Sequence, residues 1–402
     1  MRPSPISAIL ATTVFLSGAS FASTAPYRAI VGVETLGLSN AIYALVMVLN
    51  ALGGAAAALA LGWFSDMVGD RRWLVLICAV VGGLGFGFIW AFQTPIAYII
   101  AFCLLVPFGN ALFSQSFSYS RAYYDKIDAK RSEFMMSILR SLFTVAWVVM
   151  PPLAGWIAAE TSSFSVFGLA AAMHVGSTLL IGLLFAQPKA RIGVPRHTGS
   201  IADAVDLPKA TIAPGHRIGI VGVTLARVAL QINMTVLPLI ILRDLSGSLA
   251  DVGINAAVAA AIEVPFMIGW GYLAMRMPKE TILAISCAIF ALYMVLMAVA
   301  QSVLQVLMLQ GIAAIAIAAL MSITISYLQE AIKGRVGLST SLMDVTQVLS
   351  VMGASAVFAL NPGALYAPLM GVAALLSIAA ALLLIAAGRL ARREIAAGAT
   401  VD

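Results

Sequence analysis

Residues 73–93 read WLVLICAVVGGLGFGFIWAFQ, a run of 21 residues without a charged side chain. At a rise of about 1.5 Å per residue, a helix of this length crosses the roughly 30 Å hydrocarbon core of a bilayer. Runs of comparable length recur along the whole 402-residue chain. The repeated pattern predicts an all-α polytopic membrane protein.

The composition of the chain leads to the same interpretation. Hydrophobic residues make up 62% of the chain and charged residues 10%, whereas a soluble protein carries about 25% charged residues. A soluble enzyme, a nucleic-acid-binding protein and a secreted disulfide scaffold are therefore excluded. The three cysteines are widely spaced, the three histidines form no metal-binding motif, and no phosphate-binding glycine-rich loop is present. No metal, cofactor or ATP site is predicted.

Apolar runs separated by charged or Gly/Pro-rich segments predict twelve membrane spans. They lie near residues 6–32, 40–64, 73–93, 95–121, 134–159, 164–187, 217–241, 249–275, 280–301, 303–328, 337–360 and 364–388. The predicted domains are a six-helix half at 1–187, a cytoplasmic linker at 188–216, a second six-helix half at 217–390 and a cytoplasmic tail at 391–402. The first run is too long for the apolar core of a signal peptide, so we expect a membrane helix there.

The distribution of lysine and arginine predicts that both termini are cytoplasmic. With the N-terminus inside, 19 of the 23 positive residues fall on one side of the membrane. The opposite side has only Arg28 and Arg243, while Arg140 and Arg227 lie within spans. Positive residues concentrate in the cytoplasmic loops of membrane proteins, so this asymmetry supports both the orientation and the number of spans.

A weak internal repeat supports the division into two halves. The loop after the second span reads GWFSDMVGDRR over residues 62–72, and 209 residues later residues 271–279 read GYLAMRMPK. Parallel repeats with a substrate site between them at mid-membrane are typical of secondary transporters that work by alternating access.

The first of these loops resembles the signature of the major facilitator superfamily. Its glycines, its first aspartate and its paired arginines match the family pattern, whereas Met67 departs from it. The resemblance implies that Asp66 accepts hydrogen bonds from Arg121 or from amides of the eleventh helix and acts as a latch. The alternative is a set of solvated loop charges. The candidate gating residues are Gly62, Asp66, Gly69, Arg71, Arg72, Arg121, Gly334 and Arg335.

Within this superfamily, nearly the whole chain is similar to the bacterial sugar efflux transporter family. The segments that carry the resemblance are 65–72, 139–154, 262–265 and 329–340, together with Asn50, Asn110, Gln115 and Arg121. The resemblance implies a sugar exporter. Arg227 departs from the family, since a base is not typical of its seventh helix. Cys103 and Leu104 stand where drug/proton antiporters place a base in the fourth helix, which argues against a general drug exporter.

Ionisable residues inside predicted spans are the candidates for proton coupling. A charge at the centre of a membrane helix costs at least ~2.5–3.5 kcal/mol, so it requires a partner or a function. Arg227 and Glu263 are expected near the midplane of the same half and in contact. That contact is either a permanent structural pair or a pair that opens on protonation or substrate binding. Glu263 is the first candidate for the proton carrier and Asp344 the second, although Asp344 could merely pair locally.

Amide side chains and one tryptophan predict the class of cargo. An amide both donates and accepts hydrogen bonds, which suits the vicinal hydroxyls of a sugar, and an indole offers a flat apolar face. The alternative for each amide is a bridge between helices. The candidate substrate-binding residues are Asn50, Asn110, Gln115, Arg140, Trp147, Gln231 and Asn233. Arg140 is included because it lies in a segment that resembles the sugar efflux family; the alternative is that its head group reaches the inner membrane interface.

These features favour a secondary active transporter of the bacterial inner membrane that exports sugars or sugar-like metabolites in exchange for protons. The alternatives are a multidrug/proton antiporter and a transporter-like sensor that moves nothing. The expected partners are a small-molecule solute, protons and the lipid bilayer, without nucleic acid, and we expect a functional monomer. No catalytic residue and no enzyme activity are predicted.

Overall fold

The computed structural model describes residues 4–193, 212–331, 336–363 and 365–398. Twelve helices in these ranges are long and apolar enough to cross a membrane, which confirms the predicted polytopic all-α fold. In chain order they are α1 (Pro5–Thr24), α2 (Asn40–Val68), α3 (Arg71–Phe92), α4 (Pro95–Asp128), α5 (Arg131–Glu160), α6 (Ser165–Phe185), α7 (Pro214–Leu239), α8 (Leu249–Leu273), α9 (Lys279–Ala298), α10 (Val303–Glu330), α11 (Val336–Ala359) and α12 (Ala367–Gly398).

Some helices continue past the apolar runs from which they were predicted. The fourth span was expected to end near residue 121, but α4 continues to Asp128, where the backbone becomes extended (φ −158°, ψ 91°) and separates it from α5. Hydropathy marks where a helix leaves the bilayer, whereas the helix itself ends only where the backbone changes. Charged residues with good helix propensity therefore prolong α4 beyond its apolar part.

Three wide turns with i→i+5 hydrogen bonds occur in the described residues, two after a helix and one inside a helix. One follows α1 at Ile30–Thr35, after a 3₁₀ turn at Ala25–Tyr27, and one follows α7 at Ile240–Asp244. Their starts are 210 residues apart, close to the spacing of the sequence repeat. The third turn lies inside α4 at Ala101–Leu105. Such turns are frequent at functional sites, because they leave backbone groups without their helical partners.

The contacts of the chain divide it into two compact units. The first consists of Met1–Val205 with Ser248–Ala257, and the second of Asp206–Gly247 with Val258–Asp402. The boundary at the linker 188–216 stays a prediction, and residues 194–211 lie outside the described ranges.

In the first unit, α1 packs against α5 and α6, and α3 packs against α6. The α1–α5 contact is built on small and flexible side chains, among them Ala19, Ala146 and Met150. A Cβ on Gly82 of α3 would lie 2.6 Å from the Cα of Gly109 in α4. This distance is too short for a Cβ, so only glycine fits at this position. The two glycines therefore allow α3 and α4 to approach closely at this point.

In the second unit, α7 packs against α11 and α12, and α9 packs against α10 and α12. The carboxylate of Asp244, at the end of the turn after α7, accepts hydrogen bonds of 2.9 Å from the backbone N–H groups of Tyr366 and Ala367. These N–H groups belong to the start of α12 and have no partner within the helix. Asp244 therefore caps α12 and ties it to α7.

Large apolar side chains are exposed along most of the spans. Examples are Leu59, Trp90, Leu179, Ile268, Leu304 and Leu382, each more than half exposed. A soluble monomer rarely exposes so many large apolar side chains. This surface is the one expected of helices that face lipid.

Candidate functional site

The first unit brings the two predicted asparagines of α2 and α4 together. The Nδ2 of Asn50 donates to the carbonyl oxygen of Phe102 at 2.7 Å, and the Nδ2 of Asn110 donates to the Oδ1 of Asn50 at 3.5 Å. The wide turn in α4 explains the first bond, because the N–H of Val106 donates to Ala101 and not to Phe102. The next residue, Pro107, has no N–H to offer. Asn50 therefore supplies the missing donor.

We expect Asn50→Ala to destabilise the protein, because it leaves the buried Phe102 carbonyl without a donor. The expected cost is about 1–3 kcal/mol, the usual penalty for an unsatisfied buried polar group. The melting temperature of the detergent-purified protein measures this loss. Asn110→Ala is the matched control, since it removes only the longer 3.5 Å bond and should lower the melting temperature less. Equal melting temperatures for wild type and Asn50→Ala would contradict this account.

An aromatic cluster lies beside these amides. The predicted Trp147 of α5 contacts Phe21 of α1, with ring centroids 5.7 Å apart. The guanidinium of Arg28 lies 4.8 Å from the Phe21 ring centroid and 5.7 Å from that of Phe102. Because Asn50 binds the Phe102 carbonyl, one continuous set of contacts joins the indole, the arginine and the amides.

Sequence reasoning missed Arg28 as a site residue and counted it with the outer loops. Its backbone carbonyl accepts a hydrogen bond of 2.9 Å from the hydroxyl of Tyr98, and its guanidinium lies over the rings of Phe21 and Phe102. The signal was available in the sequence, since Arg28 falls inside the apolar run 6–32 and not after it. By the argument applied to Arg227, a positive residue inside such a run requires a partner or a function.

The remaining two candidates of the first unit lie nearer the start of α5 and in α4. The Cζ of Arg140 lies 5.3 Å from the ring centroid of Phe117, and the Arg140 residue is exposed. Gln115 is half-buried on α4. Among the described residues, no hydrogen bond, ion pair or ring contact links these two residues to the Asn50–Trp147 cluster.

In the second unit, Arg227 has a different partner from the expected one. Its Nη2 donates to the Oε1 of Gln347 on α11, and it interacts electrostatically with Asp344 one turn earlier on the same helix. No ion pair joins Arg227 to Glu263 in the part of the chain that the structure describes. The predicted Arg227–Glu263 contact is therefore wrong for this conformation. Similar depth in one half does not place two residues on facing sides of their helices.

Glu263 is half-buried on α8 and has no basic partner among the described residues. Its neighbour Pro265 lies inside the helix and removes a backbone N–H there. Asp344, by contrast, is exposed on α11 and interacts with Arg227. The two candidate proton carriers thus differ in their surroundings: Asp344 lies near the positive charge of Arg227, and Glu263 has no such partner among the described residues.

The two polar candidates of α7 differ in burial. Asn233 is 5% exposed, and its Oδ1 accepts a hydrogen bond of 3.4 Å from the hydroxyl of Tyr293, which itself accepts one of 3.2 Å from Gln310. These three side chains connect α7, α9 and α10 inside the second unit. Gln231, two residues earlier, is half-buried.

The loop between α2 and α3 forms a compact charged cluster. Gly69 adopts the left-handed conformation (φ +64°), which glycine takes without strain. Asp70 caps α3 by accepting from the N–H of Arg72, and its carboxylate also accepts from the Arg72 guanidinium at 2.7 and 3.0 Å. The guanidinium further donates to the carbonyl of Leu184 and lies over the ring of Phe185. This cluster anchors α3 to the end of α6.

The other candidate gating residues make separate contacts. Arg71 donates to the hydroxyl of Ser118 at 2.6 Å, and Arg121 forms an exposed ion pair with Glu133. In the second unit, Lys279 at the start of α9 pairs with Glu330 at the end of α10. Gly62 lies on α2, but its surroundings and the side chain of Asp66 are outside the described part of the structure, as are Gly334 and Arg335.

Comparison with known proteins identifies the family. The sequence profile of the Major Facilitator Superfamily matches residues 10–216, just over half of the chain. Sugar efflux transporter A of Escherichia coli (strain K12) is 26% identical over 342 residues, covering 85% of each chain. Sugar efflux transporter B of Salmonella typhimurium (strain LT2) is 29% identical over 281 residues, covering 69% of each chain.

Solved structures share the fold. A crystal structure of a peptide transporter in complex with sulfate superposes with a TM-score of 0.79, covering 97% of this chain and 95% of that chain. At 15% sequence identity the likeness concerns the fold alone. The profile match, the twelve spanning helices and the two sugar efflux transporters named above lead to one conclusion: the chain belongs to the Major Facilitator Superfamily, as a multi-pass transporter of the bacterial inner membrane and not an enzyme.

Proposed function

We propose that this transporter exports sugars or sugar-like metabolites in exchange for protons, by alternating access. The observation that carries the proposal is the cluster of amides and aromatic rings in the first unit. Asn110 has hydrogen-bonding capacity left beyond its single 3.5 Å bond, and the half-buried indole of Trp147 lies beside Phe21. Such a surface suits a solute with many hydroxyls and an apolar ring face. The names of the sugar efflux relatives point to the same cargo.

The second unit supplies groups for ion coupling in this proposal. Glu263 is a membrane-helix carboxylate without a basic partner among the described residues, and such residues mark ion pathways. Asp344 and Arg227 form a second charged site, to which Gln347 contributes an amide. We assign proton transfer to Glu263 first, with Asp344 as the reserve, and sugar contact to Gln231 and Asn233.

Three further assignments belong to the proposal. Both termini lie in the cytoplasm, since most lysine and arginine residues then fall on the inner side. The two six-helix halves, joined by the linker 188–216, provide the alternating movement around the cargo. A single chain is the transporting unit.

Transport into inverted membrane vesicles tests the proposal directly. A panel of radiolabelled sugars should accumulate when the vesicle interior is acidic and should only equilibrate without a pH gradient. Accumulation of lipophilic cations in place of sugars would favour the multidrug alternative. No flux of either class, with the protein present in the membrane, would favour a sensor.

We expect Trp147→Ala to weaken sugar binding about tenfold, the loss that corresponds to about 1.4 kcal/mol. The ring beside Phe21 would no longer offer its face to the sugar. Isothermal titration of the detergent-purified protein with the best transported sugar measures the change. Trp156→Ala is the matched control, because this tryptophan is on the same helix but is 60% exposed, whereas Trp147 is half-buried. Equal affinities for the two variants would refute a role of Trp147 in binding.

A further inference from the structure

Arg28 presents an unused hydrogen-bonding edge inside the first unit. Two buried nitrogens of its guanidinium, Nε and Nη2, have no hydrogen-bond partner. The rings of Phe21 and Phe102 lie against the guanidinium and leave these edge donors unsatisfied. Leaving buried donors unsatisfied is costly, and the cost is greater for a charged group.

The identity of the two free donors indicates what they would bind. The N–H groups of Nε and Nη2 point in the same direction, and together they form the edge that binds a carboxylate through two parallel hydrogen bonds. No carboxylate of the described residues lies within ion-pair distance of Arg28. The polar side chains that act electrostatically on Arg28 are the phenols of Tyr43 and Tyr98, and neither is a carboxylate. Within the described part of the chain, no carboxylate therefore pairs with this cation.

The position of Arg28 connects it to the proposed sugar surface. Phe21 contacts both the guanidinium and the indole of Trp147, and Phe102 connects the guanidinium to Asn50 and Asn110. A sugar ring resting against the indole would therefore lie near Arg28. Protein atoms cover both free N–H groups in this conformation, so the ligand would meet them in another step of the transport cycle.

We propose that Arg28 binds the carboxylate of a sugar acid, and that sugar acids are the preferred cargo of this transporter. This inference rests on the proposed sugar export and names its substrate class. The carboxylate of the cargo would accept from Nε and Nη2, and its ring would lie against the Phe21–Trp147 pair. The arginine would thereby select sugar acids over the neutral sugars of the same size.

D-glucuronate and D-glucose provide the matched pair of probes, since they differ only in a carboxylate against a hydroxymethyl group at C6. Titration calorimetry of the full-length protein in detergent should give about 10- to 100-fold tighter binding of glucuronate, the range expected for hydrogen bonds to a charged group. The ratio of the two affinities should fall to about one in Arg28→Gln. Arg28→Lys keeps the charge but lacks the planar edge of the guanidinium. Its ratio of glucuronate to glucose affinity should therefore lie between that of wild type and that of Arg28→Gln.

The methyl ester of glucuronate tests the same contact without a variant. It keeps the shape of the ligand but not its charge, so wild-type protein should bind it no better than glucose. This arm decides the question even if Arg28→Gln does not fold. Equal binding of glucuronate and glucose by wild type, or an unchanged ratio in folded Arg28→Gln, would overturn the role of Arg28 while sugar export stands. Binding of ethidium but of neither sugar would overturn sugar export itself and this inference with it.

Discussion

Glu263→Gln is expected to abolish sugar accumulation driven by a pH gradient and to leave sugar exchange without a gradient intact. The reason is that glutamine keeps the size and polarity of the side chain but cannot release or take up a proton. Glu263 is half-buried in α8 and has no basic partner among the described residues, so its charge is not compensated locally. A carboxylate in this setting is suited to bind a proton on one side of the membrane and release it on the other.

The experiment compares two assays in the same inverted vesicles. Accumulation with an acidic interior reports coupling, and exchange of labelled for unlabelled sugar at equal pH reports binding and movement of the helices. Asp344→Asn is the matched control, because it neutralises the carboxylate that interacts with Arg227 and should slow both assays without uncoupling them. Uphill accumulation at the wild-type rate in Glu263→Gln would show that the proton travels elsewhere. Uncoupling by Asp344→Asn alone would assign the proton to Asp344.

The fold of this chain could be predicted from its sequence because the bilayer imposes a simple rule. A helix that crosses lipid must satisfy its own backbone and must present apolar side chains, so each span leaves an apolar run of about 20 residues. The rule does not extend beyond the bilayer. The continuation of α4 to Asp128 depends on helix propensity and capping, which hydropathy does not report.

The contacts of the candidate site were harder to predict. Arg227 and Glu263 were correctly identified as ionisable residues inside spans, but their pairing depended on the rotation of α7, α8 and α11. In the structure, Arg227 donates to the amide of Gln347 and interacts with Asp344 one turn earlier on α11. For Asn50, the deciding feature was a backbone irregularity in another helix, the turn at Ala101–Leu105 followed by a proline. A sequence shows the proline but not the carbonyl that is left without a donor.

Asp70→Asn is expected to destabilise the first unit by about 3–5 kcal/mol, the cost of leaving one charge of a buried ion pair unpaired. The side chains of Asp70 and Arg72 are each only 8% exposed, and they share hydrogen bonds at 2.7 and 3.0 Å. Asparagine caps a helix about as well as aspartate, so the substitution keeps the cap on α3 and removes only the charge. Arg72 would then retain the Leu184 carbonyl and the Phe185 ring, neither of which neutralises it.

The control is the exposed ion pair of the same unit. Arg121 and Glu133 are 48% and 71% exposed, and an ion pair at such a surface contributes about 0–1 kcal/mol, so Arg121→Gln should hardly change the melting temperature in detergent. The double variant Asp70→Asn/Arg72→Met removes both charges and should recover much of the stability lost in Asp70→Asn. The comparison also separates two roles for Arg72. If Asp70→Asn has the melting temperature of wild type but transports slowly, the pair opens during the cycle and belongs to the gate. If its melting temperature is lower, the pair is a permanent anchor between α3 and α6. In that case we assign gating to the neighbouring Asp66 and Arg71.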